Sequence, residues 1–585
     1  MRHFDSIIRA GTIVDGTGAP SFKGDLGISA GRIAAVAPKL AGTADEVIDA
    51  AGKIVAPGHV TQHCHYDAQL FWDPYCSNSG EHGVTTVLNA NCGFSVAPVR
   101  KADQERTMMM LETTEQIPVE YQKAAMPWDW ETFPDFMRTL EQLPKGVNVM
   151  TYLPLNPLLI YVMGVEGAKT RRPTKQEIAE MHRLINEAMD AGAAGVSMSV
   201  MGEEGNSHLD YDGTPMPTDL LHDDDTVEIC RALADRGEGL IQVLSQIAIF
   251  GNFEISEKLA RMAKGSGARV IHNAVLTNDA MPEMSQKDIE WLTRLRAEGL
   301  DISGAALINR GWVEAGITEL DTAGGQMKGV RRIIACQTDE EVIKLLKDPG
   351  YVSDFVQEYS KQGPANGAAG LEGMTIIDVG GVKELAPYLD KTLGEAAEER
   401  GQHVVATLAE FGWKSNLGLQ LKSMPFAAND PTIPVSLLRC PAIAPGVSDG
   451  GAHTQAFSNG HYGTELLIWL VRDETLMTIE EMHHQLALKV ARTIQLDDRG
   501  ALLPGFAADI LIYDLDALYL DTSRHEVVHD MPNNSWRRKP KSGGYDRILV
   551  NGVTTHIGDK PTGDTPGRVL RVTTDFSARR PVAAE

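Results

Sequence analysis

At 585 residues with 43% hydrophobic side chains, the chain can bury a large core, and at ~150 residues per domain it has room for several units or for one large barrel with appendages. A formal charge of −25 repels polyanions and excludes nucleic acid or an anionic membrane surface as expected partners. No apolar run approaches the ~18 residues of a membrane span, and Met1-Arg2-His3-Phe4-Asp5-Ser6 lacks the halves of a signal peptide, so the expected compartment is the cytoplasm.

Short β-rich runs separated by glycine turns open the chain, at Ile7 to Gly16, Asp25 to Ile28 and Arg32 to Val36. Buried-strand candidates then alternate with amphipathic stretches: Gly83 to Leu88, Gly146 to Met150, Gly195 to Met198 and Ala268 to His272. Between the second and third of these, Thr174-Lys175-Gln176-Glu177 reads as a capping box that starts a helix running to Ala191, with Gly192 ending it. The stretch from about Gly311 to Pro441 is glycine-rich and breaks the alternation, which predicts an insertion or lid; Gly324-Gly325 and Gly367 to Gly373 mark it. Ala508 to Tyr513 and Arg547 to Gly552 echo the opening runs, and the end around Arg579 to Val582 reads as a frayed tail. Strand–helix alternation over some 400 residues predicts the α/β class and a TIM-type (β/α)8 barrel at 58–496, with the insertion at about 311–441. Segments 1–57 and 497–585 are expected to form one composite β-sandwich.

The six cysteines contain no CxxC pair, so neither a disulfide framework nor a zinc knuckle is expected and each is read alone. His63 and His65 lie two apart after an apolar segment; on a strand that spacing puts both imidazoles on one face, able to chelate one metal ion, while Cys64 points the other way. Cys92 follows the β-branched run Val84 to Leu88 and enters a glycine turn, where a thiolate can ligate or bridge a divalent ion. His272 is a third candidate imidazole, and Asp449, at a glycine-softened strand end, is a carboxylate able to contact a metal and shuttle protons. Each has an ordinary structural explanation when taken singly; the set together points to chemistry.

Phrase by phrase the chain resembles the N-acyl-D-amino-acid deacylase (D-aminoacylase) group of the amidohydrolase superfamily. The phrases are Asp15 to Gly18, His63 and His65, Asn91 to Phe94, Ala191 to Ser197, Leu393 to Ala397, Ser448 to Gly450, Leu503 to Asp509 and Thr562 to Leu570. The resemblance implies a barrel flanked by a β-sandwich, with His63 and His65 as first-strand ligands, Cys92 as the thiolate, His272 as the sixth-strand ligand and Asp449 as the catalytic aspartate. Consistent with a thiolate in that role, Gly195 to Val200 holds no lysine that could be carboxylated. Departures are equally specific: Gly239 to Gln246 contains no histidine where the family has one, so Gln242, Ser245, Gln246 or water is left to complete that position. The family's Gly-His turn is Leu153 to Pro157 here, and no basic residue stands in Asn273-Ala274-Val275.

The expected activity is hydrolysis of a C–N amide bond in a small molecule, an N-acyl amino acid first of all, with one or two Zn2+ ions as cofactor and Asp449 as acid and base. His453 and His461 stand close downstream for an assisting or structural part. The same site acting on a cyclic amide, ester or amine is the second expectation, and a metal-free scaffold or binding barrel the third. A homo-oligomer is compatible with all three.

Overall fold

The computed structural model describes residues 2–203, 208–245, 253–279, 281–320, 327–362, 370–425, 427–457 and 459–572. Gln246, Gly324-Gly325, Gly367 and the Arg579 to Val582 tail lie outside them.

Parallel strands joined by helices form the centre, hydrogen-bonded in three runs rather than one continuous sheet. His59–Thr61 pairs Val84–Asn89, which pairs Asn148–Thr151. After a one-residue break, Leu153–Pro154 begins a six-stranded run through Gly195–Ser199, Leu240–Leu244, Arg269–Leu276 and Ile302–Leu307 to Ile443–Ala444. The chain then continues into Val447–Gly450, which pairs His63–Cys64, the continuation of the first strand. These strands are buried on both faces, as parallel sheets covered by helices must be. The helix Lys175–Ala191 has its capping box in place: Thr174 accepts from the Glu177 N–H, and Gly192 closes the helix at φ +112°.

Both chain ends meet in one nine-stranded sheet, because Ile510–Tyr513 pairs with Ile54–Pro57. It branches at His3–Ile13, whose first half pairs in parallel with Thr43–Asp49 and whose last residues pair with Ile54–Pro57. Its isoleucine-rich interior includes Ile8, Ile13, Ile28, Ile510 and Ile512.

The glycine-rich stretch has a separate apolar core, in which Ile317, Phe355, Ile376, Phe411 and Leu421 are buried together around an antiparallel three-stranded sheet. A two-stranded arm, Tyr519–Met531 with Ser535–Gly543, stands apart from the nine-stranded sheet and reaches that core. The contact is specific: the His525 N–H donates to Glu314 at 2.7 Å, its ring stacks on Trp312 at 4.4 Å, and Arg538 donates to Gln420 at 2.9 Å. Among the described residues no helix is long and apolar enough to cross a membrane.

Candidate metal centre

The first strand and the strand that carries Asp449 are laced together at the carboxyl ends of the parallel runs. The His63 N–H donates to Gly446 O at 3.1 Å, the His65 N–H to Gly450 O at 2.7 Å, and the Ser448 hydroxyl to His63 O at 3.1 Å. Close approach explains the Asp-Gly-Gly phrase: a Cβ on Gly450 would come within 2.4 Å of the Tyr66 hydroxyl, and one on Gly451 within 2.6 Å of the His65 carbonyl. Asp449 itself is left-handed at φ +46°, as is Cys92 at +58°. Non-glycine residues in that region carry strain that the surrounding structure must hold in place, and they cluster where function needs a fixed geometry.

His63, His65 and Cys92, all buried, bring their ligand atoms within 4.8 Å of one another, the group of three such donors among the described residues. His63 Nε2 stands 3.2 Å from His65 Nε2 and 3.4 Å from Cys92 Sγ, and Asp449 Oδ1 lies 3.3 Å from His63 Nε2 and 3.8 Å from His65 Nε2. Cys64 points away and donates to Leu88 O, as alternation along a strand requires.

The electrostatics suit a cation. Burial lowers the His63 imidazole to about 3, and burial with the neighbouring imidazoles holds His65 well below its usual value, so both rings are neutral with lone pairs to offer. Burial first, then Glu115 and Asp449, push the Cys92 thiol well up; burial lifts Asp449 to about 6; burial and the Asp449 and Asp67 carboxyls push Glu115 well up. A thiol and carboxyls that are costly to ionise side by side become ionisable next to a divalent ion. The polar atoms Gln242 Nε2 and Ser245 Oγ are buried without a partner among the described residues, which marks the space beside the cluster as built for a guest.

His272 is not part of the cluster, contrary to the sequence expectation. Its register partners are Val243 and Gly304, while Asn273 pairs with Leu244, two residues beyond Gln242 on the same face. Gln242 faces inward, since its Oε1 accepts the Cys92 N–H; Asn273 shares that face and lies against His63, so His272 faces out. There its Nδ1 pairs with the Ser256 hydroxyl at 2.9 Å and its ring packs between Phe253 and Trp291 on the covering helices. His272→Ala is expected to lower stability by about 2–4 kcal/mol through the cavity and the orphaned hydroxyl, and to leave metal content unchanged. Loss of metal in a folded His272→Ala chain, read by elemental analysis, would reinstate it as a ligand.

Three neighbours stand outside the predicted ligand and catalytic set. Glu115, at the end of the helix Gln104–Glu115, stands 3.5 Å from His65 Nδ1 and 4.0 Å from His453 Nε2. Asp67 accepts from the Ser95 hydroxyl at 2.6 Å and from the Ala90 N–H, pinning the turn before Cys92. His208 packs on Phe94 and acts electrostatically on His63, His65 and His453. Of the two downstream histidines, His453 is held beside the cluster by Glu115 O and Gln116, whereas His461 packs among His82, Trp312 and Glu465.

The sequence profile of the Amidohydrolase family matches residues 46–259. An uncharacterised protein of Mycobacterium tuberculosis (strain ATCC 25618 / H37Rv) is 39% identical over 203 residues, 33% of this chain and 32% of that protein, so the matched part spans about a third of this relative. The D-aminoacylase of Alcaligenes xylosoxydans xylosoxydans is 29% identical over 97% of both chains. The structure of an N-acyl-D-glutamate deacylase from Bordetella bronchiseptica, complexed with zinc and a phosphonate mimic of the tetrahedral intermediate, superposes with a TM-score of 0.62. It is 22% identical and covers 97% of this chain and 100% of its own, a likeness of fold.

Proposed function

We propose that this chain, similar over 97% of its length to a D-aminoacylase, is a metal-dependent hydrolase that cleaves a C–N amide bond in a small molecule, with N-acyl amino acids as the substrate class its relatives suggest. The observation that carries this is the convergence of two imidazoles and a thiol within 4.8 Å, with a carboxylate oxygen 3.3 Å away, at the carboxyl ends of parallel strands. We read the three parallel runs as one closed (β/α)8 barrel over 58–496, with a lid at about 311–441 and a composite β-sandwich domain from 1–57 and 497–585.

Two nitrogens, a thiolate and a carboxylate oxygen are a donor set that suits zinc, and we assign His63, His65, Cys92 and Asp449 to one such ion. Bound there, zinc supplies Lewis acidity that brings water near ionisation at neutral pH and polarises a carbonyl. Asp449 takes the proton from the attacking water and delivers it to the departing nitrogen. Glu115 Oε1 approaches His65 Nδ1 to 3.5 Å, on the side of the ring away from the Nε2 that faces the cluster. The absence of a basic group at Asn273 to Val275, where a substrate carboxylate would be gripped, favours as second reading a cyclic amide, ester or amine at the same site.

The test is elemental analysis of protein purified without chelators, joined to hydrolysis of a panel of N-acyl D- and L-amino acids and simple amides. About one tightly held zinc per chain with turnover of an N-acyl amino acid is the expected result. A metal-free chain that stays inactive after zinc is added overturns the proposal in favour of a scaffold.

A further inference from the structure

Gln242 is buried, 1% exposed, on the inward face of Leu240–Leu244, with its amide against the Cys92 turn. The orientation of that amide is fixed: the Cys92 backbone N–H is a donor, so the group facing it at 2.9 Å is Oε1. Oε1, the one atom of Gln242 able to ligate a metal, is thus turned to the Cys92 backbone. Its Nε2, a double donor, is left buried without a partner among the described residues. A donor held beside a metal cluster is matched by an acceptor oxygen, not by a second cation.

Building on the amide-hydrolase reading, we propose that Gln242 Nε2 binds the carbonyl oxygen of the scissile amide, as a catalytic hydrogen-bond donor. In that reaction the water oxygen bonds to the carbonyl carbon, the C–N bond breaks, and the water's proton ends on the nitrogen. Between bond making and bond breaking the carbonyl oxygen carries the negative charge, and a fixed N–H donor grips it more tightly then than in the ground state. The backbone tie to Cys92 places that donor before substrate arrives.

Two variants separate this from a purely structural part. Gln242→Glu keeps an acceptor for the Cys92 N–H and loses the donor; Gln242→Met loses both. With Nε2 as donor, both lose about 10²–10³-fold in kcat with KM changed a few fold, while both chains stay folded and bind metal. The zinc-loaded Gln242→Met chain also binds methylphosphonate, a tetrahedral oxyanion, at least about tenfold more weakly than wild type. A Gln242→Glu chain with wild-type kcat, or a Gln242→Met chain with wild-type methylphosphonate affinity, overturns the assignment. If the wild-type chain hydrolyses no amide, the hydrolase reading falls instead, and the methylphosphonate affinities decide the Gln242 assignment by themselves.

Discussion

His63→Ala is expected to purify folded, to lose its metal, and to hydrolyse amides at less than about a thousandth of the wild-type rate. The fold survives because the segment is held by its backbone: Gln62 and His63 both donate to Gly446 O, His65 donates to Gly450 O, and Thr61 ties to Gly446 O at 2.7 Å, none of which uses the imidazole. The removed ring contacts ligand atoms more than core, with His65 Nε2 and Cys92 Sγ its neighbours at 3.2 and 3.4 Å. Structural zinc sites bind with roughly 10–16 kcal/mol shared over four donors, so one imidazole is worth ~3 kcal/mol, or more than a hundredfold in affinity. Losing the ion also removes the polarisation and water activation the reaction needs, which takes the rate lower still. Elemental analysis, circular dichroism melting and kcat/KM on one preparation check all three points, with Cys64→Ala as the control. Cys64 is adjacent in sequence but turned to Leu88 O, so its loss leaves metal and turnover in place. A His63→Ala chain that keeps both metal and turnover overturns the ligand assignment.

Parity along the strands decides what the sequence could reveal. His63 and His65 were legible because a two-residue spacing puts them on one face whichever face that is, and Cys92 because a thiol after a β-branched run must sit at a strand end. His272 was misread because parity within Arg269–Leu276 depends on the neighbouring strands: Val270, Ile271 and His272 are all buried, so no polar-apolar alternation marks which side faces the cluster. The same ambiguity hid Gln242, which only the Cys92 N–H identifies as inward. Glu115 carries no motif; its importance comes from a helix end arriving beside His65, a long-range contact that no local pattern encodes. The helix Lys175–Ala191, by contrast, was legible to its caps because Thr174, Glu177 and Gly192 act locally. The branched nine-stranded sheet was legible as strands at both ends but not as a topology, since the pairing of Ile54–Pro57 with Ile510–Tyr513 is set by the parallel strands and helices that separate them. The Tyr519–Met531 arm escaped because its face is largely exposed and charged, and its register is fixed by partners such as Glu314 and Gln420 in the insertion.

Asp449→Asn is expected to keep its metal and its fold and to lose about 10²–10⁴ in kcat, the usual worth of a positioned acid-base group. The substitution is isosteric, and the left-handed φ of +46° at this position is one that asparagine tolerates as well as aspartate. The turn that follows is fixed by Gly450 and Gly451 against Tyr66 and His65 and does not depend on the carboxylate. An amide there can still contact the ion weakly but cannot accept a proton from water, so the loss should appear in kcat with KM changed much less. Because His63, His65 and Cys92 remain as three donors within 4.8 Å, metal content should stay near wild type, which separates this variant from His63→Ala. The two variants therefore separate a residue that only holds the ion from one that contacts it and moves the proton. Stopped assays with a good N-acyl amino acid substrate, together with elemental analysis, make the comparison. Full kcat in Asp449→Asn would remove the carboxylate from the chemistry and turn attention to Glu115 and His453, the pair on the other side of His65.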